Sequence, residues 1–195
     1  IINWYFNSAD NLLIENDYLN DLIAKNICFT YSKLNIKKIN KSKKVIQIKK
    51  YAFKQISKNN KKYLNPLYLL NKKLTKNDRL FFYDFLIHGS IATDDYAIGW
   101  SDLDTYLIIN NKTLLNYNSI KKLKILILKI KKYLYEIDPL QHHGFIFCAE
   151  NYLKSYPSFM LPSNIIKNSK SIIKNNKIIL WENDNLDYPV NHLKS

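Results

Sequence analysis

Only three glycines stand in this chain of 195 residues, Gly89, Gly99 and Gly144, and each lies in or beside one of two short motifs. Glycine reaches backbone conformations closed to other residues, so a chain this poor in it holds its most constrained backbone at those places. The first motif reads Ile87-His88-Gly89-Ser90 and continues, after residues 91–99, as Trp100-Ser101-Asp102-Leu103-Asp104 into the apolar run Thr105 to Ile109. The second reads Asp138-Pro139-Leu140-Gln141-His142-His143-Gly144 and runs into Phe145-Ile146-Phe147-Cys148.

In an extended strand successive side chains alternate faces, so Asp102 and Asp104 point one way and Leu103 the other. Two carboxylates on one face repel unless a cation lies between them. Hard oxygen donors of this kind suit Mg²⁺, with Mn²⁺ as an alternative, because that ion takes one or two protein carboxylates and completes its shell with water and phosphate. Gly89 allows backbone to approach a phosphate closely, and Ser90 adds a hydroxyl donor. A phosphate cradle beside a metal-binding acid pair is the layout for nucleotidyl or phosphoryl transfer.

His88-Gly89-Ser90 and Ser101-Asp102-Leu103-Asp104 resemble the signature of the DNA polymerase β-like nucleotidyltransferase superfamily. The match covers residues 85–110, and residues 80–150 more loosely as a fold core. It departs from many small members in having Ile91-Ala92-Thr93-Asp94-Asp95 where they carry Arg and Gly. The resemblance implies transfer of a nucleoside monophosphate from a Mg²⁺-bound nucleoside triphosphate to an acceptor hydroxyl. The acceptor could be a small molecule, a protein side chain or an RNA end. It further implies that Gly89, Ser90 and Ser101 serve nucleotide binding, that Asp102 and Asp104 hold metal, and that a third carboxylate completes the acceptor side. Asp138 is the first choice for that carboxylate, because it precedes the third core strand, and it is counted with the metal ligands. His143 is the alternative as a base near neutral pH.

Each assignment has a structural counterpart. Asp138-Pro139 also reads as a helix-ending turn. His142 and His143 would face opposite ways on a strand, so at most one lines the site, and either could be a hydrogen-bonded histidine at the strand entrance. His88 reads as packed, Ser101 as ordering the turn into the strand, and Trp100 as filling the core rather than stacking on a base. Asp94 and Asp95 read as helix caps rather than contacts to a cationic acceptor.

The fold expected is mixed α/β (α+β), with helices packed on a mixed nucleotidyltransferase-like sheet. Residues 1–78 form an added N-terminal helical region, and residues 79–195 form the core. The chain begins at Ile1 rather than Met, as a piece of a longer protein would. Within residues 1–30 a helix is expected, capped at Ser8 or Asp10, with Leu12, Leu13, Leu19, Leu22, Ile23 and Ile27 on one face. Residues 31–43 read as an exposed connection. Val45, Ile48, Ala52, Phe53 and Ile56 suit a second helix over 44–58, and Pro66 leaves only a short one over Leu67 to Leu70. Arg79 to Ile87 is the first core strand or its lead-in, Leu103 to Ile109 the second, and Ser119 to Tyr135 a helix covering the sheet. Short helices near Tyr152 and Ile165 and a strand over Lys177 to Trp181 follow, then a polar tail.

The net charge of +14 is carried by lysine, since Arg79 is the only arginine. Scarcity of arginine, the residue of bidentate phosphate and guanine contacts, argues against sequence-specific nucleic-acid reading. Cys28 and Cys148 form no disulfide framework or zinc pattern, which suits a reduced cytoplasmic setting. No apolar stretch is long enough to span a bilayer. Two other readings use the same residues differently: an inactive relative that binds a nucleotide or a partner, and a lysine-driven RNA-binding module.

Overall fold

A computed structural model describes residues 2–7, 17–34, 43–53, 58–139, 144–156, 161–174 and 176–181. Its elements in chain order are helices α1 (Ile2–Asn7) and α2 (Asp17–Lys33), strand β1 (Lys43–Lys50), helices α3 (Lys58–Lys73) and α4 (Lys76–Arg79), strand β2 (Phe82–Ile87) and helix α5 (Gly89–Thr93). Strand β3 (Thr105–Ile109), helices α6 (Asn111–Leu114) and α7 (Tyr117–Ile137) and strand β4 (Ile146–Ala149) follow. A 3₁₀ helix (Glu150–Ser155), helix α8 (Ser163–Asn168) and strands β5 (Lys170–Ser171) and β6 (Asn176–Trp181) complete it. The six strands form one mixed sheet in the order β4-β3-β2-β5-β1-β6. Pairs β3–β4 and β1–β5 are parallel, and the other three are antiparallel. The chain is thus mixed α/β, with helices packed on the sheet.

Alternation along the central strands builds two cores. Phe85, Ile87, Leu107, Ile109, Phe145 and Phe147 face the layer of α1, α2, α3 and α7, while Leu86, Tyr106, Ile108, Ile46, Ile48 and Ile178 face the 3₁₀ helix, Tyr156 and α8. Helix α7 matches its apolar spacing: Leu123, Ile127, Ile130 and Leu134 are buried, and the Asn116 side chain accepts the Ser119 N–H at 3.0 Å as its N-cap.

Two local expectations give way to tertiary packing. The helix expected over 44–58 is instead strand β1, inserted between β5 and β6. Its burial has period two, with Ile46 and Ile48 inside and Val45 56% exposed, and its β-branched residues pair with Ile178 and Ile179 of β6. Helix α3 runs through Pro66. A proline inside a helix costs about 3 kcal/mol, and burial of Leu64, Leu67, Leu70 and Leu74 against the sheet layer offsets it. The proposed caps Ser8 and Asp10, together with Leu12 and Leu13, lie outside the described residues; of the expected face on α2, Ile27 is buried, Leu19 and Ile23 are half-buried and Leu22 is exposed.

Strand β4 is a sheet edge, and α1 closes it with two amide side chains one helical turn apart. Asn7 donates through Nδ2 to the Phe145 carbonyl at 2.6 Å and accepts the Phe145 N–H at 3.0 Å, and Asn3 accepts the Phe147 N–H at 2.7 Å. Lys131 Nζ donates to the Asn7 carbonyl at 2.7 Å, and Lys124 Nζ to that of Tyr5, so α7 lysines hold the end of α1.

The short strand β5 is tied to β2 by a buried acid. Asp84 Oδ1 accepts from Ser171 Oγ at 2.5 Å and from the Phe85 N–H at 2.8 Å, whereas Oδ2 is buried without a partner. Burial pushes this carboxyl up to about 6, against which the Ser171 bond acts. The unfolded chain titrates near 3.9 and so loses the proton first. Stability therefore falls by about 3 kcal/mol as pH rises from 4 to 6 and then levels. Urea unfolding across pH 4 to 8 is expected to show this loss in the wild type relative to Asp84→Asn, with the variant gaining on the wild type as pH rises. Parallel curves for the two proteins would refute it.

Candidate active site

Strand β2 ends in a turn that brings the first motif's two halves together. Ile87 pairs with Thr105, and the ladder continues as the His88 N–H donates to the Asp104 carbonyl at 3.0 Å. His88 and Asp104 are therefore cross-strand neighbours, as are the residues beside them. Gly89 then turns at φ +67, and a Cβ built on it would lie 2.5 Å from Asp104 Oδ2. The Asp104 carboxylate thus lies directly over the glycine, in space that any side chain at 89 would fill. Gly99 and Gly144 also have positive φ, so the scarce glycines mark the constrained backbone as the sequence implied.

The acids precede the regular strand, which begins at Thr105 rather than Leu103. Their burial nonetheless alternates: Asp102 is exposed, Leu103 fully buried and Asp104 half-buried. That alternation puts Leu103 into the helix-side core and keeps both carboxylates off it. Ser90 is half-buried at the start of α5. Ser101 orders the approach to the acids: its Oγ accepts the Ala97 N–H at 2.8 Å, while its own N–H and that of Trp100 donate to the Ala97 carbonyl.

His88 is packed, 8% exposed, with Nε2 buried and unpartnered. Burial lowers its pKa, and the nearby Asp104 carboxylate opposes the shift. Asp138 is not the entry to β4. It is the buried C-cap of α7, its N–H donating to the Leu134 carbonyl at 3.0 Å, because Pro139 prevents the helix from continuing. His142 and His143 lie outside the described residues.

Two further expectations are corrected. Trp100 does not fill the core; it is 88% exposed. Asp94 caps no helix start: it follows α5 in the left-handed region, and its carboxylate pairs with Lys170 Nζ at 2.6 Å. Asp95 accepts a hydrogen bond from Thr93 Oγ1.

A residue that no sequence motif singles out joins these parts. Tyr63 on α3 donates its hydroxyl to the Ser101 carbonyl at 2.8 Å and stacks on Tyr96, with ring centroids 5.7 Å apart. Its pKa is raised by burial first, then by the Asp138 carboxylate, Tyr96 and Asp102. One phenol therefore feels both the end of α7 and the first acid of the pair. No local pattern marks Tyr63, since a tyrosine on a helix face usually packs.

Among the described residues no three His, Cys, Asp or Glu side chains gather as a metal-binding group. The donor set is the exposed Asp102 and the half-buried Asp104, the latter packed against Gly89, and so few protein carboxylates suit an ion that completes its shell with phosphate oxygens and water. Among the described residues, no helix is long and apolar enough to cross a membrane. Comparison with family models, curated proteins and solved structures finds no match to this chain.

Proposed function

We propose that this chain is a nucleotidyltransferase of the DNA polymerase β-like type, moving a nucleoside monophosphate from a Mg²⁺-bound nucleoside triphosphate to an acceptor hydroxyl. The observation that carries the reading is the Asp104 carboxylate held over the bare Cα of Gly89. A phosphate that reaches the Gly89-Ser90 turn therefore meets the Asp104 carboxylate beside it. Asp102 and Asp104 would hold Mg²⁺ (or Mn²⁺), which when bound neutralises charge on the phosphate oxygens.

This chain's residues do the rest. Gly89 leaves room for the Asp104 carboxylate against the turn, and the Ser90 hydroxyl donates to the phosphate chain. Ser101, pinned by Ala97 and Tyr63, fixes the path into Asp102. In the reaction the acceptor oxygen bonds to the α-phosphorus while the bridging α–β oxygen bond breaks, and pyrophosphate departs with that electron pair. The acceptor proton passes to a base, for which the resemblance offers Asp138, whose charge Tyr63 feels, or His143. The two cysteines are free and the location proposed is cytoplasmic.

Incubation with each nucleoside triphosphate, Mg²⁺ and acceptors of the three classes (aminoglycoside-like polyols, proteins, RNA) is expected to release pyrophosphate with one pairing. Nucleotide binding without release under all pairings would leave the inactive relative. Binding of RNA alone, with steep salt dependence and no nucleotide affinity, would leave the lysine-driven module.

A further inference from the structure

An 88% exposed tryptophan two residues before the first acid is the feature that the site's chemistry leaves unused. What sets this indole apart from the other exposed aromatic residues is its place beside the acids, where its π face is open to stack on a planar group. The turn is ordered. Trp100 and Ser101 both donate to the Ala97 carbonyl, at 3.1 and 3.0 Å, and Ser101 Oγ returns a bond to the Ala97 N–H. Gly99 supplies the left-handed residue at φ +79, with open space where its side chain would be. The Tyr63 hydroxyl fixes the far end through the Ser101 carbonyl. The indole is thus held outward by backbone geometry rather than left out by poor packing, and Ile98, 53% exposed, flanks it.

Two residues of chain span at most ~7 Å, so the Trp100 Cα stays within that distance of the Asp102 Cα. A nucleotide whose phosphates are held at the acids therefore has this turn within reach of its base. Resting on the proposed nucleotidyltransferase reading, we infer that Trp100 is the stacking platform for a nucleobase, from the nucleoside triphosphate or from the end of an acceptor strand. An indole face offers every base a π surface without selecting its edge. That matches a chain with a single arginine and little means of bidentate base reading.

Calorimetric titration of the wild type, Trp100→Ala and Trp100→Phe with ATP, tripolyphosphate and a hexa-adenylate, each with Mg²⁺, tests this. Wild type is expected to bind ATP more tightly than tripolyphosphate. Trp100→Ala should lose on the order of ten- to hundredfold in ATP affinity, Trp100→Phe much less, and tripolyphosphate should bind all three alike. Loss confined to hexa-adenylate would assign the stacked base to the acceptor strand and keep the platform. Unchanged affinity of Trp100→Ala for both base-bearing ligands would overturn the platform while leaving the nucleotidyltransferase reading intact. Trp100-dependent binding of hexa-adenylate, with neither phosphate ligand bound by wild type, would keep the platform and remove that reading. No binding of any of the three ligands would overturn both.

Discussion

Asp104→Asn should lower pyrophosphate release roughly a thousandfold, the upper end of what removal of one preorganised electrostatic group costs. The substitution keeps shape and takes away one charge. The backbone bond from His88 to the Asp104 carbonyl is untouched, and the side chain is only half-buried, so melting should move by no more than about 2 °C. Asp102→Asn should cost less, about tenfold to a hundredfold, because Asp102 is exposed and nothing holds it over the glycine turn. Asp95→Asn, removing an exposed acid on the loop beyond α5, is the control and should leave the rate unchanged. Calorimetry with nucleotide and Mg²⁺ separates lost binding from lost chemistry. If Asp104→Asn retained wild-type turnover, the acid over Gly89 would have no part in the reaction, and the proposed function would fall with it.

The parts legible in the letters are those whose local pattern and tertiary role agree. The runs into His88 and out of Asp104 become β2 and β3, and the α7 spacing becomes the helix that covers them. The three glycines all took positive φ. Yet Gly144, grouped with the site by its motif, owes its constraint to Asn7, far away in sequence. Where two patterns compete, the neighbours decide. Val45 and Ile48 fit helical spacing as well as strand alternation, and only the presence of β6 and β5 on either side selects the strand. Pro66 stops a helix in isolation and not one whose leucines are buried on both sides of it. Strand β5, two residues of Lys and Ser, carries no strand signal; it is held by backbone pairing with β1 and β2 on either side and by the Ser171 bond to Asp84. Within the site, Gly89 and Asp104 could be paired from sequence through the hairpin-like return. Tyr63 could not, because its bond to Ser101 depends on how α3 packs.

Gly144→Ala should be the most destabilising small change outside the core. Gly144 sits at φ +64, where an L residue costs about 1–2 kcal/mol. A Cβ there would also lie 2.9 Å from Asn7 Cγ and closer still to its Oδ1. The amide must then leave, and the Phe145 N–H and carbonyl lose the partners that close the β4 edge. Each buried group left unpaired costs about 1–3 kcal/mol, so a total of about 4 kcal/mol and a melting decrease on the order of 10 °C are expected. Asn7→Ala opens the same edge without backbone strain and should cost about 2 kcal/mol. Because Asn7→Ala also removes the atoms that the new methyl strikes, the double variant should fall short of the sum of the two singles by at least about 1 kcal/mol. Both variants leave an unpaired strand edge beside the exposed Trp4, so they should aggregate on heating where wild type does not. Strict additivity would mean that Asn7 and Gly144 act separately, and that the Asn7 amide does not set the constraint at Gly144.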